Sequence, residues 1–318
     1  MAGGANFSAG SVVIGVKDRV VEATTGLFSH GPKPLKHTLD HAPDPGLLGP
    51  ESVSWRVIGD AAAFVGGIRA LVVQTAHPEV VAGVEQHSRY RYDPLGRLTR
   101  TSFYVTETTY GAMPEVERAV AMVRTAHRPV SGRSERGRAY SAGKPELAAW
   151  VHNVLTESFL AAYQAYGREP LTARDADLFV EEQTRIGALL GADPMPTTAH
   201  ELRAWVADHP DLATSNDLRH AIEFLRDPPL SIPVKAGYRP LFHAALTTLP
   251  ERVREIVELQ PGRHADEIGR LTTNALRWAL GSSPSWHVSL VRTGAPVPDG
   301  LFRQPLPEEA RAHLAASG

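Results

Sequence analysis

Residues 97–108 carry cationic and hydroxyl side chains at the spacing of a single helical flank. Arginine holds a fixed positive charge and presents several N–H donors to an anion, and hydroxyl groups donate or accept hydrogen bonds. A helix brings positions i, i+3, i+4, i+7 and i+11 to the same side. Two arginines, two threonines and a tyrosine occupy these positions: Arg97, Arg100, Thr101, Tyr104 and Thr108. The spacing predicts one polar wall of a site.

A second segment ends an apolar helical stripe in a histidine. The stripe repeats at i, i+4, i+7 and i+11 and consists of Val116, Val120, Val123 and His127. Pro129 ends the predicted helix just after His127, so the imidazole lies in the last turn, where the helix dipole favours a cation. We expect this imidazole to point inward. The same position is also typical of a helix cap or of a hydrogen-bonded core histidine.

Short motif blocks occur in order around both segments. Up to the arginines they read LVVQTAHP at residues 71–78, VEQHS at 84–88 and DPLGRLTRT at 93–101. Downstream they read HRPVSG at 127–132, YSA at 140–142 and WVH at 150–152. Together these blocks, which include a His-x-x-Val-x-Gly signature, resemble the family of rubber oxygenases (latex-clearing proteins) and MpaB-type oxygenases. The resemblance covers roughly residues 55–290.

What the resemblance implies is a haem b protein with a globin-like helical core. In the best-understood members of this family one histidine is the axial iron ligand, and an Arg-x-x-(Lys/Arg)-Thr segment lies beside the haem. When these motifs are mapped onto this chain, the resemblance implies that His127 is the metal ligand. Arg97, Arg100 and Thr101 are then its companions in the catalytic pocket. We expect one arginine to hold a haem propionate or to stabilise an anion that develops beside the iron, and Thr101 to line the pocket.

Arg100 marks a departure from the rubber-cleaving members of the family. Those members have a lysine at this position, which can approach the iron from the distal side. A guanidinium stays protonated and is a very poor metal ligand. We therefore expect that no amine closes the sixth coordination site of the iron in this chain.

Three further histidines lie in the motif blocks. His77 precedes a proline at a helix break, which is typical of a cap, and His87 ends the next short helix in a capping or substrate-facing position. His152 is the closest alternative to His127 as the iron ligand, and we count it among the cofactor-binding candidates. A hydrogen-bonded structural role is the preferred interpretation of His152.

Composition excludes several other kinds of site. The chain has no cysteine, which excludes disulfides, zinc–thiolate sites, cysteine-held iron–sulfur clusters and thiolate-ligated haem. Serine-hydrolase, phosphate-loop and dinucleotide motifs are absent from the sequence. Only His37 and His41 have the His-x-x-x-His spacing of a local non-haem metal site, and they lie in a proline-rich segment. A net charge of -2 gives no basic surface, so we expect no nucleic-acid partner.

The pattern of hydrophobic residues predicts an all-α protein, a helical bundle with extra helices and an extended N-terminal arm, and the resemblance implies that the core of this bundle is globin-like. We divide the 318 residues into an extended, proline-containing arm (1–50), a helical haem-binding domain (51–290) and a C-terminal tail (291–318). Helix starts are predicted at four prolines and two threonines: Pro78, Pro94, Pro114, Pro145, Thr172 and Thr198. Residues 131–144 and 227–240 are predicted to be mobile loops.

The sequence carries no secretory or membrane-spanning signal. The N-terminus lacks a basic region followed by a long apolar core. The longest apolar run, residues 61–73, is broken by two glycines and an arginine and is shorter than a membrane span. We expect a buried helix there and a cytoplasmic protein without a transmembrane segment.

The function that the resemblance implies is that of a haem b-dependent oxygenase, an oxidoreductase that uses dioxygen on an apolar substrate, with an unsaturated isoprenoid or lipid as the candidate class. A proximal histidine and an open distal face permit dioxygen binding, and the polarity of the pocket then selects storage, transfer or activation. The alternative is a helical protein that binds haem or another small ligand without turnover.

Overall fold

The computed structural model describes residues 9–317, and over that range the protein is essentially all-α. A 3₁₀ turn lies at Thr38–His41, and the two short strands are β1 (Ser131–Arg133) and β2 (Ala139–Ser141). The helices are α1 (Ala9–Leu27), α2 (Val53–Gly59), α3 (Ala62–Thr75), α4 (Pro78–His87), α5 (Pro94–Tyr110), α6 (Met113–His127), α7 (Pro145–Tyr166), α8 (Ala173–Leu190), α9 (Ala199–Ala207), α10 (Asn216–Arg226), α11 (Ile232–Thr247), α12 (Glu251–Val257), α13 (Ala265–Leu280), α14 (Pro284–Thr293) and α15 (Glu308–Ser317).

Helices α3 and α7 form the centre of the core. Gly66 of α3 lies so close to α7 that a Cβ atom at this position would come within 2.7 Å of the Phe159 ring. Arg69 of α3 is fully buried and forms a two-pronged ion pair with Glu157 of α7. Its guanidinium also donates to the carbonyl of Thr248, 3.1 Å away at the end of α11. Close packing and a buried ion pair therefore join α3 to α7, and a hydrogen bond from the same arginine joins α3 to the end of α11.

The helix boundaries follow local signals in the sequence. Each of the four prolines predicted at helix starts lies in a first turn, where its missing N–H needs no partner. Thr172 and Thr198 accept hydrogen bonds from the backbone at the starts of α8 and α9. Gly191 ends α8 with a φ of 71°, in the left-handed region that favours glycine. These predictions are confirmed.

Other segments differ from the sequence-based expectation. Residues 9–27 form helix α1, which packs against α5, α11 and α13, where we expect an extended arm. The predicted loop at 131–144 contains an antiparallel hairpin, with Gly132 paired to Tyr140. Most of 227–240 belongs to α11, which begins at Ile232 and continues through Pro240. The tail contains α15. The likeness to a globin stays a prediction.

Within residues 9–317, no single helix combines the length and apolar character of a membrane span. Helices α2 and α3 together pass that test, but they meet at an angle of 87°. Most of their residues are buried in the core, which is typical of internal helices in a folded domain.

Candidate active site

Helices α5 and α6 form a helical hairpin that carries both predicted site segments. Only Gly111 and Ala112 separate the two helices, which pack against each other and therefore run antiparallel. Arg97 and His127 lie at similar numbers of residues from this turn. At roughly 1.5 Å per residue, each is about 20 Å from it. The two residues therefore lie level with each other at the open end of the hairpin.

The closed end of the hairpin is tied to its surroundings by several hydrogen bonds. Trp55 Nε1 donates to the Thr109 carbonyl at 2.7 Å, and the Tyr110 hydroxyl donates to the Trp55 carbonyl at 2.8 Å. Ser289 of α14 donates to the Tyr110 carbonyl at 2.9 Å. The Met113 N–H donates to Asp44 Oδ2 at 2.9 Å. These bonds fix the turn, and the helices extend from it toward the site.

Arg97 is half-buried near the start of α5 and is held by two neighbours. Its Nη1 donates to Ser88 Oγ at 3.1 Å, and its guanidinium lies over the Tyr90 ring, 5.7 Å from the ring centre. Burial lowers the pKa of Arg97, although the group remains a cation at neutral pH. Ser88 and Tyr90 were not singled out by the sequence, because their contact with Arg97 crosses a loop.

Arg100 and Thr101 lie on the solvent-exposed part of the same helix. Arg100 is exposed and pairs with Asp93 at 3.4 Å, next to the start of α5. Thr101 is also exposed, and its hydroxyl donates to the Arg97 carbonyl at 3.1 Å. Helical spacing groups these residues with Arg97, but only the arginine at position 97 is partly enclosed by other elements.

Tyr104, one turn further along the flank, carries a polar atom that is not satisfied within the described part of the chain. Its hydroxyl is buried and has no hydrogen-bond partner there. Burial raises the pKa of Tyr104 above its ordinary value, so the phenol stays protonated and keeps a hydrogen to donate. An orphaned buried donor is rare in a folded protein, and this one leaves the Tyr104 hydroxyl free to donate to a bound group or a water molecule.

His127 is exposed, whereas its stripe predicts an inward-pointing ring. Exposure increases along α6, from buried Val116 and Val120 through half-buried Val123 to His127. The core covers the first turns of α6 and does not reach the last one. Nearby protein atoms still desolvate the ring in part and lower its pKa, so the neutral imidazole predominates at neutral pH. No residue within 9–317 is hydrogen-bonded to this ring, so its lone pair is available.

The C-terminal end of α4 connects the two site segments. His87 lies 3.1 Å from the Ser131 carbonyl, just beyond the end of α6, and Gln86 donates to the Arg133 carbonyl at 3.0 Å. Ser88, the next residue, accepts the hydrogen bond from Arg97. One helix end therefore contacts both the start of α5 and the chain that follows His127.

His152 lies in a different environment, between α7 and α8. It is buried, with one ring nitrogen 2.8 Å from the Gln183 carbonyl and its ring packed against Gly187. Burial lowers its pKa to about 4, so the ring is neutral at neutral pH. The carbonyl engages one nitrogen, and tight packing restricts the space around the ring.

The residues at the open end of the hairpin fit a haem group. The neutral imidazole of His127 has the lone pair that an axial ligand needs. Arg97 offers positive charge for a propionate, and Arg100 lies one turn away. The buried hydroxyl of Tyr104 lacks a partner within the described residues. His127 and Arg97 lie at similar distances from the turn of the hairpin.

Comparison with known proteins identifies the family of this chain. The family model for the ER-bound oxygenase mpaB/B'/rubber oxygenase catalytic domain matches residues 55–279, a span that includes helices α5, α6 and α7. Neither the curated proteins nor the solved structures give a significant match. Because the match covers well over half of the sequence, the chain belongs to the ER-bound oxygenase mpaB/B'/rubber oxygenase catalytic-domain family, and its function is of the oxygenase type.

Proposed function

We propose that the protein is a haem b-dependent oxygenase that uses dioxygen on an apolar substrate, with unsaturated isoprenoids or lipids as the candidate class. The observation that carries the proposal is the position of His127 and Arg97. An imidazole with a free lone pair and a partly enclosed guanidinium lie level at the open end of the α5–α6 hairpin. Family membership supplies the oxygenase chemistry.

In this proposal His127 binds the iron and Arg97 binds a propionate. When bound, haem supplies the iron centre at which dioxygen is activated. Ser88 and Tyr90 hold the Arg97 guanidinium in place before the cofactor arrives, which reduces the entropy lost on binding. Thr101 supports the same turn through its bond to the Arg97 carbonyl.

Tyr104 supplies a hydrogen-bond donor in an environment that is largely shielded from water. Its hydroxyl stays protonated because burial raises its pKa, and it has no competing partner in the described part of the chain. A hydrogen bond from such a donor is stronger than in water, because the surrounding dielectric is low. The hydroxyl is therefore suited to orient an oxygen atom of a ligand or of the substrate.

Exposed apolar side chains on both arms of the hairpin region support an apolar substrate. Tyr92, just before α5, has a relative exposure of 87%, and Met122 of α6 has one of 48%. Val123, on the next position of α6, is half-buried. In this proposal these exposed groups contact the apolar part of the substrate.

The experiment is haem loading followed by a turnover assay. The purified chain is incubated with haem b, and the Soret band and the haem-to-protein ratio are measured. Dioxygen consumption is then recorded with a polyisoprenoid and with an unsaturated fatty acid, for the wild type and for His127→Ala. Absence of specific haem uptake would overturn the proposal. Uptake without substrate-dependent dioxygen consumption would instead support a haem-binding protein without turnover.

A further inference from the structure

Two histidines and one aspartate from distant parts of the sequence meet beside α4. His77 precedes the first residue of this helix, and His209 and Asp211 lie in the loop between α9 and α10. One ligand atom from each residue lies within 4.8 Å of the other two, and no other such group occurs among the described residues. We propose that these three residues bind a divalent first-row transition-metal ion.

His77 carries the strongest sign of a missing ligand. The side chain is 3% exposed, and its Nδ1 atom is buried without a hydrogen-bond partner, with Glu79 Oε2 at 3.4 Å as a neighbouring charge. It precedes a helix but makes no capping hydrogen bond. Burial, and next the nearby His209, lower its pKa to about 4, so the ring is neutral at neutral pH. A neutral imidazole is the form that binds a metal ion.

His209 can supply the second nitrogen. It is half-buried, and burial lowers its pKa as well. Its Nδ1 accepts a hydrogen bond from the Asp211 N–H, but the distance of 3.3 Å is long for such a bond. A metal ion competes with this weak contact for the single lone pair of the neutral ring. Coordination therefore replaces one long hydrogen bond.

Asp211 supplies the oxygen ligand. Arg136 and Arg138 both donate to its Oδ1 atom, so Oδ2 can bind a metal ion without displacing either arginine. Burial opposes ionisation, but the bond from Arg138 and the nearby positive charges lower the pKa of Asp211. Glu79, which pairs with Arg136, adds a second carboxylate beside His77. The two carboxylates offset the charges of Arg136 and Arg138, and Arg252 is a further cation near His209.

Aromatic rings hold the two imidazoles in place. The Trp150 ring centre lies 5.5 Å from that of His77 and 4.8 Å from that of His209. Trp205 lies 4.8 Å from His209 on another side. His209 and Asp211 keep contact with solvent, so water can complete the coordination shell. Two imidazoles, one carboxylate and open positions suit Zn²⁺, Co²⁺ or Fe²⁺.

This site is separate from the proposed haem site. His77 precedes the first turn of α4, whereas Ser88 follows the last turn and bonds to Arg97. The ten residues of α4 span about 15 Å. The metal proposal therefore does not depend on haem binding at His127, and each can be tested without the other.

The test is a titration of the chelator-treated, full-length protein with Co²⁺, followed by competition with Zn²⁺. We expect one equivalent of Co²⁺ to give visible d–d absorption and to quench tryptophan fluorescence through Trp150 and Trp205. His209→Ala and Asp211→Asn should each weaken binding by roughly tenfold or more. His209 is half-exposed, so we expect His209→Ala to fold. This variant therefore tests the site even if a change at buried His77 prevents folding.

Two control variants identify the site. The chain has 14 histidines, so His200→Ala, an exposed residue of α9, measures nonspecific binding and should leave the Co²⁺ affinity unchanged. His127→Ala should also leave it unchanged. Equal affinity in the wild type and His209→Ala would overturn the proposal. A loss of Co²⁺ binding in His127→Ala, with none in His209→Ala, would overturn it too by assigning the ion to the haem site.

Discussion

Arg97 donates a hydrogen bond to Ser88 Oγ at 3.1 Å, and this bond joins the first turn of α5 to the residue that follows α4. The preceding residue, His87, contacts the Ser131 carbonyl just after α6. The end of α4 therefore sets the separation between the Arg97 and His127 segments. Any ligand held by both segments has its size limited by this connection.

Replacement of His127 by alanine should abolish stable haem binding while the helical fold survives. The side chain is exposed and has no hydrogen bond to lose within the described chain, so its removal leaves the core intact. The Soret band and the haem content report cofactor binding, and far-ultraviolet circular dichroism reports helix content. His200→Ala, which removes another exposed histidine, should bind haem normally. An unchanged Soret band in His127→Ala would point to His152 as the ligand.

Arg97→Ala and Thr101→Ala should weaken haem retention to different extents. Arg97→Ala removes a charge-assisted contact and its support from Ser88, at a cost of about 1–3 kcal/mol. Thr101→Ala removes a bond to the Arg97 carbonyl and should cost less, because Thr101 is exposed. The rate of haem transfer to apomyoglobin measures both effects. If neither variant releases haem faster than the wild type, this flank of α5 does not contact the cofactor.

Arg100→Lys should introduce a pH-dependent change in the haem spectrum. In the native chain Arg100 pairs with Asp93, and its guanidinium does not ligate iron. The resting ferric protein should therefore lack an amine ligand. A lysine amine that loses its proton at high pH can bind the iron and shift the Soret band. A spectrum insensitive to pH in this variant would show that position 100 does not reach the distal side.

The buried ring of His152 should make the protein less stable in mild acid. Its pKa falls from 6.5 to about 4 on folding, so the unfolded state binds the proton more readily. Above pH 6.5 the ring is mostly neutral in both states, so it does not lower the stability. As the pH falls toward 4 the unfolded state takes up the proton first, and linkage gives a loss of about 2 kcal/mol in the free energy of unfolding between about pH 7 and about pH 5. Urea unfolding at both pH values measures the loss.

His152→Gln is the matched control for the acid effect, because glutamine keeps an N–H donor but does not titrate. The free energy of unfolding should fall less with pH in this variant than in the wild type. His77 contributes in the same direction in both proteins, so the difference isolates His152. Identical pH dependence in the two proteins would mean that His152 takes up a proton equally in the folded and unfolded states.

Arg69→Met should destabilise the fold by about 3–5 kcal/mol, because it leaves the buried carboxylate of Glu157 without its partner. The urea midpoint and the free energy of unfolding measure this loss. Replacing both residues by apolar side chains should recover part of it, since no unpaired charge then remains. A loss below about 1 kcal/mol in Arg69→Met would mean that this buried pair contributes no more to the free energy of unfolding than a surface ion pair does.

The sequence predicts those parts of the fold that depend on neighbouring residues. Pro145 and Thr172 begin helices and Gly191 ends one, because capping involves only atoms within one helical turn. The sequence does not predict helix α1, because the prolines that indicate an extended arm all lie in residues 32–50, after this helix has ended. The prediction that His127 points inward is wrong for another reason. Periodicity identifies the face of a helix that meets the core, but not how far the core extends along it.

Contacts between distant residues lie beyond local sequence patterns. His77 and His209 are brought together by the packing of α4 beside the α9–α10 loop, whereas His37 and His41, with the local metal-binding spacing, make no cluster with a third ligand in the described residues. The hydroxyl of Tyr104 could be assigned to the polar flank, but its lack of a partner depends on the surrounding elements.

The unequal anchoring of the α5–α6 hairpin has a consequence for how its ends move. The turn is fixed through Trp55, Asp44 and Ser289, whereas His127 at the opposite end has no hydrogen bond from its ring within the described chain. The turn is therefore held more firmly than the last turn of α6, where the two arms are linked only indirectly, through the end of α4. Backbone amides beside Gly111 should exchange with deuterium slowly, and those near His127 quickly.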